Sequence, residues 1–282
     1  MCAMRLDVMD ESCCIGNVLN DEEKIEVLNT YVDLINLIDC LTDWRKIFDY
    51  NCSSLEKAIK KTNIIRVNSD LMACLSSGVS LITVLEHILK MDTSDSDLRE
   101  KIISKEYDNS FSYRFMYFMR NFTQHSSIPI KYINNVYSFD VYNILNINHF
   151  SIKKDIKEDL NKQFDIMKNQ GVPYLDLEPM ILAYEKSVYC ILNEAYFYIE
   201  SILKTNRDKA YIIINENQQF IYNVYGDNSF CWKCGDKPHA LPIKDNPLNL
   251  CKSEKKRVIE KLNSIANNCE KVKRKYCAIV NN

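Results

Sequence analysis

The sequence predicts a mainly α protein with a few strands. Apolar residues recur at three- and four-residue spacing through most of the first two hundred positions. Only five Gly and six Pro occur in 282 residues, too few for a turn-rich β architecture. Hydrophobic residues make up 46% of the chain, enough at this length for a sizeable core.

Taken in order, residues 1–20 read as an acidic N-terminal tail. Asp21 then precedes Glu22, Glu23 and the periodic series Ile25, Leu28, Val32, Ile35 and Ile38, which predicts a capped helix to about residue 50. Ser53 or Ser54 starts a second, short helix through Ile59. Residues 71–89 keep Leu71, Leu75, Val79, Ile82, Leu85 and Leu89 on one face. Gly78 inside that run costs about 1 kcal/mol against Ala and marks close helix packing. A short helix follows at 96–105, then an aromatic helix at 109–126.

Beyond Pro129 the pattern turns extended. Residues 131–152 are rich in Tyr, Val, Ile and Asn and predict one or two strands. A polar helix to about residue 170 ends at Gly171 and Pro173. A long helix follows over 177–204. Composition shifts after Asn206, so 21–206 reads as one helical domain and 207–282 as a small α+β extension. In the extension, 210–214 and 219–225 predict a hairpin, 226–247 a loop, and 253–276 a basic amphipathic helix.

Net charge is −2, so the chain as a whole does not attract polyanions. The charge is uneven, however. Residues 1–33 carry a balance of −6 and residues 252–275 a balance of +6. Either intramolecular attraction or a local phosphate-facing patch explains that asymmetry, with Lys255, Lys256 and Arg257 as the candidate phosphate contacts. No basic start followed by an apolar run marks a leader, and no stretch reaches roughly 18 uncharged apolar residues. The twelve Cys follow no regular framework and read as reduced thiols of a cytoplasmic protein.

The residues richest in chemistry close the aromatic helix: Arg120, Asn121, Phe122, Thr123, Gln124 and His125. Arginine clamps phosphate bidentately and stays cationic. Histidine moves protons near neutral pH. Asn121 can orient either group. On an ideal helix Phe111, Phe115, Phe118 and Phe122 fall within about 60° and form the core face. Arg120 lies roughly 180° from Phe111, and Arg120 and His125 stand about 140° apart. One helix cannot easily set both on one phosphate, whereas two copies packed as a symmetric pair supply Arg from one and His from the other. The competing reading is a surface Arg and a helix-end His that caps its own carbonyls.

Arg120, Asn121 and His125 resemble the motif of the HEPN family, an Arg, often followed by a polar residue, then a His with four to six residues between the two, here four. The resemblance implies a HEPN-like helical bundle. It also implies a metal-independent endoribonuclease that works as a homodimer with a composite site and needs no cofactor. Family members recur as toxins and antiviral-defence effectors, which implies RNA as substrate and an antitoxin or regulatory protein as partner. The strands after the aromatic helix depart from a purely helical HEPN core. The alternative is a non-catalytic, HEPN-like dimerisation or nucleotide-binding regulatory module.

Two further groups carry ligand or acid–base chemistry. Cys231, Cys234, His239 and Cys251 supply ligand types for a structural zinc. Their first two spacers match a zinc knuckle and the eleven-residue last spacer does not, so no metal is assigned. Glu86 beside His87 reads as a solvated helix face, though some HEPN relatives place an acid near the motif.

Overall fold

In a computed structural model the described residues are 4–9, 12–18, 21–61, 63–91, 97–126, 130–147, 151–169, 174–222, 229–234 and 237–242. Helices dominate them, and a three-stranded sheet interrupts the helical order. The chain divides into two compact units: Met1–Asp39 with Phe197–Asn263, and Cys40–Tyr196 with Ser264–Asn282.

The first unit opens on strands β1 (Met4–Met9) and β2 (Ser12–Val18), which pair antiparallel with Leu6 opposite Ile15 and Val8 opposite Cys13. The first twenty residues, expected as a tail, thus hold a hairpin. Helix α1 (Asp21–Ile59) begins here, with Leu28, Val32, Ile35 and Ile38 buried as the periodicity requires. It was expected to break near residue 50 and does not, because no Gly or Pro occurs between Gly16 and Gly78. Helix α7 (Leu177–Tyr222) ends in this unit. Where a hairpin was expected over 210–225, the described residues through Tyr222 are instead the end of α7. No Gly interrupts the chain between Gly171 and Gly226, and Asn206 Nδ2 donates to the Ile202 carbonyl at 2.8 Å across the composition shift. The hairpin of the extension lies further on, as β6 (Ser229–Cys234) and β7 (Lys237–Pro242), where a loop was expected. The basic segment 253–276 lies outside the described residues.

The second unit contains the aromatic helix. α1 turns into α2 (Ile64–Leu89) at Lys60–Asn63 without Gly or Pro. Asn63 makes the new start: extended at φ −129°, it accepts from Arg66 N through its side chain at 3.1 Å. By length and composition α2 could cross a bilayer, but 56% of its most apolar window is buried within the protein. A π-helical turn (Glu100–Ser104) and the short α3 (Lys105–Asn109) lead to α4 (Phe111–His125). Ser110 caps α4 by accepting from Tyr113 N at 3.2 Å and shares a 2.9 Å hydrogen bond with Ser187 of α7.

Strands β3 (Ile130–Ile133) and β4 (Val136–Asp140) form a two-residue hairpin, with Ile133 opposite Val136. Its turn residues, Asn134 and Asn135, have φ 50° and 65°. Both left-handed positions are what a type I′ turn requires, and Asn is the side chain after Gly that tolerates them best. α5 (Val141–Asn146) and α6 (Lys154–Asn169) follow, and β5 (Tyr174–Asp176) completes the sheet in the order β3-β4-β5.

Gly78 fixes how closely the helices of this unit approach. A Cβ built there would overlap the Tyr184 hydroxyl of α7 and lie 3.1 Å from a Phe48 ring carbon of α1. Phe48 and Tyr184 meet edge to face at 6.0 Å, and Tyr184 stacks on Tyr113 of α4 at 5.9 Å. Phe115 of α4 in turn meets Phe139 of β4 at 5.0 Å. Beside this stack Tyr189 donates a hydrogen bond to Asp49, whose other oxygen accepts from Arg45 at 2.7 Å. Burial pushes the Tyr113, Tyr184 and Tyr189 phenols above their ordinary pKa, for Tyr189 with help from the nearby Asp49 charge.

Two outcomes follow from this core. Gly78→Ala should lower the unfolding free energy by about 1–2 kcal/mol in denaturant titration, overpacking outweighing the gain in helix propensity. Tyr184→Phe in that background should recover part of the loss, because the hydroxyl is the closest obstacle. The raised phenol pKa values mean that the unfolded chain loses these protons first. Their contribution is therefore full below a pH of about 10 and lost as pH climbs above it. Stability measured from pH 8 to 11 should fall steeply above about 10, and Tyr113→Phe should flatten that fall.

Candidate functional site

α4 is built so that one face carries the core and the other carries polar chemistry. Tyr113, Phe115, Met116, Phe118, Met119 and Phe122 are buried, and Phe111 stacks on Phe115 at 5.6 Å. The opposite face presents Tyr117, Arg120, Asn121 and Gln124, spaced three and four apart. Arg114 anchors the start of that face: it pairs with Asp159 of α6 at 2.6 Å and donates to the Tyr107 carbonyl at 2.7 Å.

Arg120 is half-buried. Its Nη1 donates to Asn121 Oδ1 at 2.9 Å, and its Nε is buried without a hydrogen-bond partner among the described residues. The pairing of Arg with the adjacent amide is thus present. Asn121 orients the guanidinium through a neutral oxygen, which leaves its full positive charge in place.

The other arginines with described side chains differ. Arg45, Arg66, Arg99, Arg114 and Arg207 each lie within 4.0 Å of a carboxylate, at Asp49, Asp70, Glu86, Asp159 and Asp208 respectively. Among the described residues Arg120 has no such ion pair, so its charge is available to an anion from outside.

His125 sits in the last turn of α4 and is exposed. Its side chain makes no hydrogen bond with any described residue, and the helix carbonyl at Phe122 is taken by Ser126 N at 2.9 Å. The structure therefore joins Arg120 to Asn121 and leaves His125 about 140° further round the same axis.

Tyr117 was not singled out from the sequence. It stands one turn before Arg120 and Asn121, 40% exposed, with its ring edge-on to Tyr107 at 6.2 Å. Lys153 Nζ in turn lies 5.8 Å from the Tyr107 ring centroid. An exposed ring one turn from an unpaired guanidinium suits a base stacked beside its own phosphate. Its signal in the sequence is a Tyr at i−3 from Arg120, on the face opposite the Phe stripe.

The remaining candidates lie elsewhere. Glu86 is bound to Arg99 at 3.1 Å, and His87 is exposed in the last turn of α2. In the β6–β7 hairpin Cys231 stands opposite Ala240, and Trp232 opposite His239, while Cys234 faces Lys237 at the turn. Cys251, Lys255, Lys256 and Arg257 lie outside the described residues. Compared with protein-family models, curated proteins and solved structures, the chain matches none.

The two ends of the motif should respond differently to truncation. His125→Ala should leave the unfolding free energy within about 0.5 kcal/mol, as for an exposed side chain without partners. Arg120→Ala should cost more, about 1 kcal/mol, because a half-buried stem is lost and Asn121 Oδ1 loses its donor. Urea titrations of the two variants check this order.

Proposed function

We propose that this chain is a metal-independent endoribonuclease of HEPN type, working as a cytoplasmic homodimer on single-stranded RNA. The observation that carries the reading is Arg120, held by Asn121 and without an ion pair among the described residues, on the same helix as the exposed His125. In this scheme a ribose 2′-hydroxyl attacks its own 3′ phosphate. The phosphorane gains negative charge, which Arg120 stabilises. His125 takes the proton from the 2′-hydroxyl or gives one to the departing 5′ oxygen. The products are a 2′,3′-cyclic phosphate and a free 5′-hydroxyl. Tyr117 offers a stacking surface for the neighbouring base. Lys255, Lys256 and Arg257 would track phosphates further along the strand. A toxin or antiviral-defence role, with an antitoxin or regulatory protein as partner, belongs to the same reading.

The divergence of Arg120 and His125 around one helix favours a composite site, with Arg120 from one copy and His125 from the other. The same divergence favours a second reading if the copies do not meet: a non-catalytic module that holds a nucleotide phosphate on Arg120 and regulates a partner.

One assay separates them. The full chain is incubated with single-stranded RNA in EDTA and the product ends are identified. Cleavage should survive chelation, leave cyclic phosphate ends, and fall by about 10²–10⁴ in His125→Ala. Mixed Arg120→Ala and His125→Ala subunits should regain activity through one intact half-site. Binding without cleavage, with or without metal, would establish the second reading. Cleavage lost in EDTA would overturn the metal-independent scheme.

A further inference from the structure

The α1–α2 hairpin of the second unit holds two cysteines in direct contact. Cys52 Sγ on α1 lies 3.1 Å from Cys74 Sγ on α2. A disulfide needs roughly 2.05 Å between sulfurs, so closure asks for about 1 Å of movement. The approach is set by polar bridges on either side of the pair. Asn51 Nδ2 donates to the Ala73 carbonyl at 3.2 Å and to Ser77 Oγ at 3.1 Å. Ser54 Oγ donates to Asp70 at 3.0 Å. These three bonds fix the register of α1 against α2 immediately before and after Cys52. The sulfurs therefore meet in the fold rather than by chance rotation of exposed side chains.

We propose that Cys52 and Cys74 form a specific intramolecular cross-linking site, which a hydroperoxide converts to a disulfide tying α1 to α2. One sulfur attacks a peroxide oxygen and becomes a sulfenic acid, with release of water. The second sulfur then attacks that sulfenic sulfur and expels a second water. Two thiols lose two electrons and two protons, and one hydrogen peroxide is reduced to two waters.

The residues are 1% and 0% exposed, so the oxidant reaches them when the hairpin opens locally. Burial raises the Cys52 thiol well above its ordinary pKa, and the neighbouring Cys74 adds to the shift. Both effects slow the reaction and keep the pair reduced against brief exposure. Exposed Cys40 should react first and serves as an internal control.

The test uses the full chain, held for hours in hydrogen peroxide under native conditions. Free thiols are then alkylated in denaturant and the peptides mapped without reduction. The expected product joins the Cys52 and Cys74 peptides, 2 Da lighter than their sum, ahead of any other pairing among the twelve cysteines. The oxidised protein should melt roughly 5–10 °C higher, reversibly with dithiothreitol, as closure of this loop restrains the unfolded chain. Cys40→Ser should keep the cross-link and the shift, whereas Cys74→Ala should lose both. Recovery of Cys52 and Cys74 as free thiols after Cys40 has been oxidised would overturn the proposal. So would a mixture of pairings with no preference for this one. The peptide map of the unsubstituted protein decides the matter even if Cys74→Ala does not fold.

Discussion

The absence of a side chain at Gly78 sets the spacing on which the second unit depends. A methyl group there would occupy the place of the Tyr184 hydroxyl. With the space open, Tyr184 seats against Phe48 on one side and stacks on Tyr113 on the other. Three aromatic rings from α1, α7 and α4 thereby share one centre beside α2. Tyr113 lies in the first turn of α4, next to the Ser110 cap that is tied to Ser187 of α7. The helix carrying Arg120 and His125 is thus oriented at its start, ahead of those two residues. Phe115 against Phe139 then fixes its rotation against the sheet. A rigid start and a buried stripe leave the last two turns free to present polar groups, the division of labour that a site on a helix end needs.

Charge is handled differently in the core and at the motif. Arg45 is nearly buried, and it is tolerated because Asp49 neutralises it and Tyr189 satisfies the same carboxylate. Arg114 is similarly held by Asp159 and two backbone carbonyls. These arginines have their charge spent within the fold. Arg120 is half-buried, and among the described residues it meets an amide instead of a carboxylate. Substituting a carboxylate for Asn121 would make Arg120 one more structural ion pair. The choice of Asn over Asp at that position therefore leaves Arg120 without the ion pair that the other arginines with described side chains have.

Much of this was legible from spacing, and the failures have physical causes. The aromatic stripe of α4 and the close approach at Gly78 could be read because each rests on strong local signals, a 3.6-residue period and a small residue in an apolar run. The strands near 130–140 were found, but their turn was not, since Asn134-Asn135 lacks the Gly that usually announces a type I′ hairpin. The break at 60–63 likewise has only Asn63 as its cap, while the strongest Ser candidates, Ser53 and Ser54, sit inside α1. Ser54 instead bonds Asp70 across the hairpin, a tertiary partner that no local rule identifies. Residues 210–222 show the reverse error. Their Ile, Tyr and Phe content favours strands, but a helix already running in α7 adds a turn more cheaply than a strand can nucleate without a neighbour.

At the motif itself, sequence and geometry point to the same constraint from different sides. The five-residue step from Arg120 to His125 is a property of the α-helix and does not change with packing. Because α4 remains helical through His125, the two groups cannot converge without a change in that helix or the arrival of a second one. Unwinding the last turn would give up the bond from Ser126 N to the Phe122 carbonyl and the fixed position of Phe122 in the core. Pairing two intact helices keeps both. In the proposed dimer a symmetric pair would also bring two Arg120 charges toward one cleft, which would favour an RNA phosphate between them and oppose approach when the cleft is empty. If the proposed endoribonuclease dimer forms, RNA binding and assembly would be coupled: substrate would neutralise the repulsion between the paired sites, so the dimer would tighten as the cleft fills.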